Sequence, residues 1–193
     1  MARSARAIAL LESAMAIVAA EGLRGLTHRA VDGHAGVPPG STSYYFRTRQ
    51  ALLQAMAEFI AEQEQRDIAQ ASVSAELAAE PMHRQAADVI AGVLAHWLGP
   101  ARQRTKARLE IWLVAAEQPE LRQALAGIRE GFLDNGRVLL QSMGSAAPEE
   151  GAYLILAMFE GIAYDGVTRQ STEPPNRDTL RRAVETVLRA VTE

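Results

Sequence analysis

The chain has 193 residues, 48% of them hydrophobic, which is enough to bury the core of one medium domain or of a small module fused to a larger one. It has no cysteine, which excludes a disulfide framework, a thiolate zinc site, an iron–sulfur cluster and a cysteine nucleophile, and agrees with a reducing cytoplasm as the expected location. The net charge of −3 is unevenly placed: residues 1–50 carry six arginines against Glu12, Glu21 and Asp32, a net of +3, and the remainder fourteen basic against twenty acidic residues, a net of −6.

Helical periodicity runs along the whole chain and no stretch sustains the alternation of a strand, so an all-α fold is predicted. The opening MARSARAIALLESAMAIVAAEG places two arginines before an apolar stretch, the outline of a signal peptide, but Glu12 and Ser13 interrupt it. Ile8, Leu11, Met15 and Val18 recur there at helical spacing and predict an amphipathic helix that stops at Glu21-Gly22. Thr27 offers an N-cap for a short helix ending near Ala35-Gly36, and Pro38-Pro39 opens another short helix, where proline is tolerated at the first position. Two very short helices around a glycine-containing turn have the form of a helix-turn-helix. After Phe46, Thr48 caps a long helix with Leu52, Leu53, Met56, Phe59 and Ile60 on its apolar stripe. Further helices are predicted over Met82–Leu98, Gln103–Glu117, Glu120–Met143, Glu149–Arg169 and Asp178–Val191, with breaks at Pro81, Gly99-Pro100, Pro119, Gly144–Pro148 and Pro174-Pro175. The longest apolar run elsewhere, Ala152–Phe159, is too short to cross a bilayer, and no membrane partner is expected.

The segment GLRGLTHRAVDGHAGVPPGSTSYYFRTRQALLQA, Gly22 to Ala55, resembles the DNA-binding region of the TetR family of repressors. The residues that carry the resemblance are Thr27, Ala35-Gly36-Val37, Gly40-Ser41, Phe46, Thr48-Arg49 and Leu52-Leu53, in register without a gap. Thr42 stands where the family usually has a bulky apolar residue, and Ser43 where it usually has a tyrosine. The resemblance implies an N-terminal three-helix helix-turn-helix domain, residues 1–47, that binds double-stranded operator DNA. A long helix joins it to a helical ligand-binding and dimerisation domain within residues 48–193, and no cofactor is implied. By resemblance the DNA-binding candidates are Thr27, Arg29, Pro39, Gly40, Ser41, Ser43, Tyr44, Tyr45 and Arg49. Their chemistry is suitable: Pro39, Gly40, Ser41 and Ser43 are small enough to approach base edges, and Thr27, Tyr44, Tyr45 and Arg49 carry donors for phosphate oxygens. Plainer readings stand beside these, in which Thr27 and Thr48 only cap helices, Tyr45 and Phe46 fill the core, and Arg24 and Arg29 are solvated charges.

For the body, the resemblance implies a small-molecule pocket among the fifth to seventh helices and a homodimer built on the last two. The large rings Phe59, Trp97, Trp112, Phe132 and Tyr164 are the ligand-binding candidates, with His96, Glu110, Glu160 and Asp165 as polar anchors. The helix Glu149–Arg169 is apolar nearly all round from Tyr153 to Phe159 and so needs cover on both faces. Ala157 and Gly161, four apart, let a partner helix approach closely, and Leu180, Val184, Val187, Leu188 and Val191 form one stripe on the last helix. Ala157, Gly161, Val184 and Leu188 are accordingly the dimer-interface candidates. The four histidines have no metal spacing, and no H-E-x-x-H, G-x-S-x-G or phosphate loop is present, so an enzyme is not expected. A protein-binding helical adaptor would account for the helices but not for the recognition motif. A ligand-independent or corepressed regulator stays open beside an inducible repressor.

Overall fold

Ser4 opens the first helix, α1 (Ala5–Gly25), its hydroxyl oxygen accepting from the Ala7 N–H at 3.2 Å. The computed structural model describes residues 3–75, 82–169 and 175–192, and among these every regular element is helical. After α1 come α2 (His28–His34), α3 (Ser41–Tyr45), α4 (Arg49–Ala75), α5 (Met82–Leu98), α6 (Arg102–Glu117), α7 (Pro119–Ser142), α8 (Pro148–Thr168) and α9 (Arg177–Ala190). The expected breaks at Pro81 and Pro174 lie outside the described residues. The chain divides into two compact units, Met1–Glu62 with Gln103–Ala126, and Gln63–Arg102 with Gly127–Glu193.

In the first unit the buried stripe of α1 is Ala7, Leu10, Leu11, Ala14, Ile17 and Val18, whereas Ile8 and Met15 are only half-buried. Periodicity therefore found the helix but placed its inner face about one residue off. The break at Gly22 is real, though it is not the left-handed cap: at φ 69° and ψ −178° the residue adopts a conformation open essentially to glycine alone, and a last turn follows to Gly25. Lys106 of α6 donates to the Ala19 carbonyl just before this break, satisfying a helix-end acceptor. Thr48 caps α4 as expected, accepting from the Ala51 N–H at 3.0 Å, and Leu52, Leu53, Met56, Phe59 and Ile60 are all buried.

The second unit holds an apolar cluster built from four helices. Ala86, Ala87, Ile90, Ala91 and Leu94 of α5 pack with Leu133 and Leu140 of α7, Ala152 and Ile155 of α8, and Leu180, Val184 and Leu188 of α9. Small residues bring these helices close: a Cβ on Gly136 would lie 3.0 Å from the Ala152 Cβ. Arg102 closes the end of α8 by donating to the carbonyls of Gly166 and Val167.

Candidate nucleic-acid interface

The short helices of the head are held by side chains rather than by length. Thr27 caps α2, accepting from the Ala30 N–H at 3.1 Å. Pro38 and Pro39 do not start α3; they form the turn before it, and Pro38 O accepts from both Ser41 N (3.1 Å) and Ser41 Oγ (2.6 Å). The N-cap of α3 is Gly40 at φ 91°, ψ −7°, a left-handed position that favours glycine and supplies no capping side chain.

Asp32 of α2 supplies what Gly40 lacks. Its Oδ2 accepts from Gly40 N at 2.7 Å, and its Oδ1 accepts from Thr42 N at 2.7 Å and from Thr42 Oγ1 at 2.6 Å. Burial pushes the carboxyl pKa up, but the hydrogen bonds from the Thr42 hydroxyl, Thr42 N–H and Gly40 N–H, with His28 nearby, outweigh it and hold the carboxyl below its ordinary value. His28, one turn earlier on α2, contacts Phe46 O through Nε2 at 2.6 Å. A carbonyl oxygen only accepts, so Nε2 carries the proton.

With α3 held in this way, Pro39, Gly40, Ser43, Tyr44 and Tyr45 are exposed, as are Arg24, Arg29 and Arg47. Tyr44 is 81% exposed and stands edge-on to Tyr45 with ring centroids 5.3 Å apart. Phe46 is buried. Arg49 is exposed as well, and its guanidinium donates to the carbonyl oxygens of Leu23 (2.6 Å) and Leu26. The motif reading missed Asp32 and His28. Their spacing of four puts both on one face of α2, and the polar Thr42 at an ordinarily apolar position was the available signal.

The ligand-binding candidates divide between the two units. In the second unit, the Trp97 indole is buried, donates from Nε1 to Asp67 Oδ2 at 3.0 Å, and lies 5.8 Å from the Phe159 ring. His96 Nε2 lies 3.7 Å from Asp67 Oδ1. Phe132 is half-buried, but Tyr164 is 57% exposed on the open side of α8. In the first unit, Phe59 is buried with the Arg3 guanidinium 5.9 Å over its ring, and Trp112 is half-buried. Asp67 and Phe159 were not anticipated.

The dimer-interface candidates separate equally clearly. Ala157 and Gly161 are exposed on α8, on a side that also carries Tyr153, Leu154 and Tyr164. Val184 and Leu188 are fully buried in the second unit's own core, because the single apolar stripe of α9 already covers α5. Among the described residues no helix is long and apolar enough to cross a membrane.

Residues 81–190 match the family model described as "Tetracyclin repressor-like, C-terminal domain". No curated protein matches the sequence. Among solved structures, a member of the TetR family from Streptomyces coelicolor A3 is 27% identical, with a TM-score of 0.72 over 95% of this chain and 98% of that one. The multidrug binding protein EbrR complexed with malachite green is 26% identical, with a TM-score of 0.69 over 95% and 98% of the two chains. A transcriptional regulator from Rhodococcus sp. Rha1, 19% identical, shares the fold at a TM-score of 0.78 over 96% and 95%. The family model covers more than half of a chain whose two short, side-chain-pinned helices already carry a recognition motif, and this protein belongs to the TetR family of transcriptional regulators.

Proposed function

We propose that the protein is a dimeric repressor that binds a palindromic operator and is released by a small, largely apolar molecule. Residues 1–47 serve as the DNA-binding domain and residues 48–193 as the ligand-binding and dimerisation domain. The observation that carries the reading is the exposed set Pro39, Gly40, Ser43, Tyr44 and Tyr45 on and beside a five-residue helix that α2 holds in place. In this reading Ser41 and Ser43 address base edges, while Thr27, Arg29, Tyr44 and Tyr45 address phosphates and fix register. Arg49 contributes chiefly by holding the head together.

A palindrome follows from symmetry, since one helix-turn-helix reads only a few base pairs and two copies related by a two-fold axis read inverted half-sites. The exposed side of α8, with Tyr153, Leu154, Ala157, Gly161 and Tyr164, supports a homodimer because so much uncovered apolar surface on one helix calls for a partner. EbrR, whose structures contain ethidium and malachite green, supports an effector role for the body. The buried Trp97 beside Asp67 and Phe159 is the best-defined aromatic and polar grouping for such a molecule. A preference of about 3 kcal/mol for the DNA-incompetent state would lower operator affinity about 150-fold, and operator would weaken effector binding by the same factor.

The test is selection of bound sequences from random duplex DNA, followed by a screen for compounds that release the selected operator and change tryptophan fluorescence. Inverted repeats among the selected sequences, and release by a compound that binds free protein more tightly than operator-bound protein, are expected. Tighter binding to the operator complex would identify a corepressor instead, and recovery of no enriched sequence would defeat the DNA-binding reading.

A further inference from the structure

A recognition helix of five residues cannot stabilise itself, since it barely completes the turn whose first amides need outside acceptors. Here three of those amides find acceptors outside the helix. Ser41 N donates to Pro38 O, and Gly40 N and Thr42 N donate to the two oxygens of a single carboxylate on the preceding helix. The other end is held from the same helix, where His28 Nε2 donates to Phe46 O, the carbonyl of the α3 C-cap. Both α2 residues lie on one face, four apart. Asp32 is 4% exposed and Thr42 is fully buried, so the carboxylate grip is shielded from competing water. Thr42 stands at a position that the family pattern fills with a bulky apolar side chain. An apolar contact sets distance and tolerates rotation, whereas three hydrogen bonds to one carboxylate set direction as well.

We infer that Asp32, seconded by His28, is a positioning residue that fixes the rotation and tilt of α3 against α2 and so decides which base edges Ser41 and Ser43 meet. The inference rests on the DNA-binding reading. It adds a device that acts on sequence preference without touching DNA. A small rotation of α3 displaces groups aimed at base edges, where discrimination depends on directional bonds, while phosphate contacts and non-specific attraction survive it.

The experiment compares the full-length wild-type protein with Asp32→Asn, Thr42→Val and the double variant Asp32→Ala/Thr42→Val. Each is assayed for thermal melting, for affinity to the selected operator and to random duplex, and by repeat selection. In Asp32→Asn the amide nitrogen cannot accept from a backbone N–H. Operator affinity is expected to fall by roughly tenfold, the loss that one mismatched base pair brings, while random-duplex affinity and its salt dependence hold within about twofold. Thr42→Val, which keeps the Thr42 backbone bond, is expected to show a smaller loss in the same direction. The double variant puts an apolar contact in place of the grip, and while folded it is expected to select a different or broader set of sequences. Unchanged selection by the double variant, or a parallel loss of operator and random-duplex affinity in folded Thr42→Val, would overturn the positioning role. A wild-type protein that enriches no sequence overturns the DNA-binding reading itself, and this inference with it. The wild-type arm therefore separates the two failures.

Discussion

The guanidinium of Arg49 donates to the Leu23 carbonyl oxygen at 2.6 Å, and to that of Leu26, tying the first turn of α4 to the end of α1 and the segment that follows it. Hydrogen bonds from a charged donor contribute about 1.5–3 kcal/mol, less where water competes, so Arg49→Ala is expected to destabilise the head by about 1–2 kcal/mol. Denaturant titration should show a lower midpoint, with DNA affinity recovering at low temperature as the head refolds. Unchanged stability, with a salt slope of DNA binding reduced by about 1, would mean that Arg49 acts at phosphate instead.

Gly161 and Leu188 separate assembly from folding. A Cβ on Gly161 would meet nothing within 4 Å, so Gly161→Leu leaves the protomer core untouched and removes a helix-interior glycine worth about 1 kcal/mol. It is expected to yield a folded monomer in sedimentation. Leu188 is fully buried, and Leu188→Ala is expected to lower stability by about 2–5 kcal/mol. A Gly161→Leu protein that sediments as the wild type does would remove α8 from the interface.

Asp32 has a folded-state pKa below its ordinary value, so the folded chain holds this proton less tightly than the unfolded one. Its contribution to stability is complete at neutral pH and is lost as pH falls from about 4 through the lower folded-state value. The melting-temperature gap between wild type and Asp32→Asn should therefore stay constant down to about pH 5 and narrow below about pH 4. A gap that grows in acid would contradict the hydrogen-bond assignment.

Gly22 tests backbone strain apart from packing. Glu110 is the nearest side chain to a Cβ placed there, its carboxylate oxygens 3.7 Å away, so Gly22→Ala has room. Its φ of 69° with ψ −178° is nonetheless costly for any other residue, and a loss of about 1–3 kcal/mol is expected in denaturant unfolding. Wild-type stability would show that the chain straightens at little cost.

What the sequence determined was wherever a signal acts within about one helical turn. Met82–Leu98 is a helix from end to end as periodicity and its flanking breaks required, Thr27 and Thr48 cap as their positions required, and the chain breaks at Gly22. The stripe from Leu52 to Ile60 was legible because it recurs over two full turns of one helix. What each side chain meets across the fold was decided only by tertiary structure. The exposed Arg49 bonds back to carbonyls near the end of α1 because they come within reach, and Val184 and Leu188 are interior because α9 lies along α5. Tyr164 faces outward while Trp97 faces Asp67, although both are large rings on apolar helices. Asp32 and Thr42 lie ten residues apart on separate helices, and only Thr42 stood out in the sequence, at an ordinarily apolar position. Only when the turn through Pro38 and Pro39 folds back does the carboxylate find its three donors, because a buried charge is tolerable only where the chain brings hydrogen bonds to meet it.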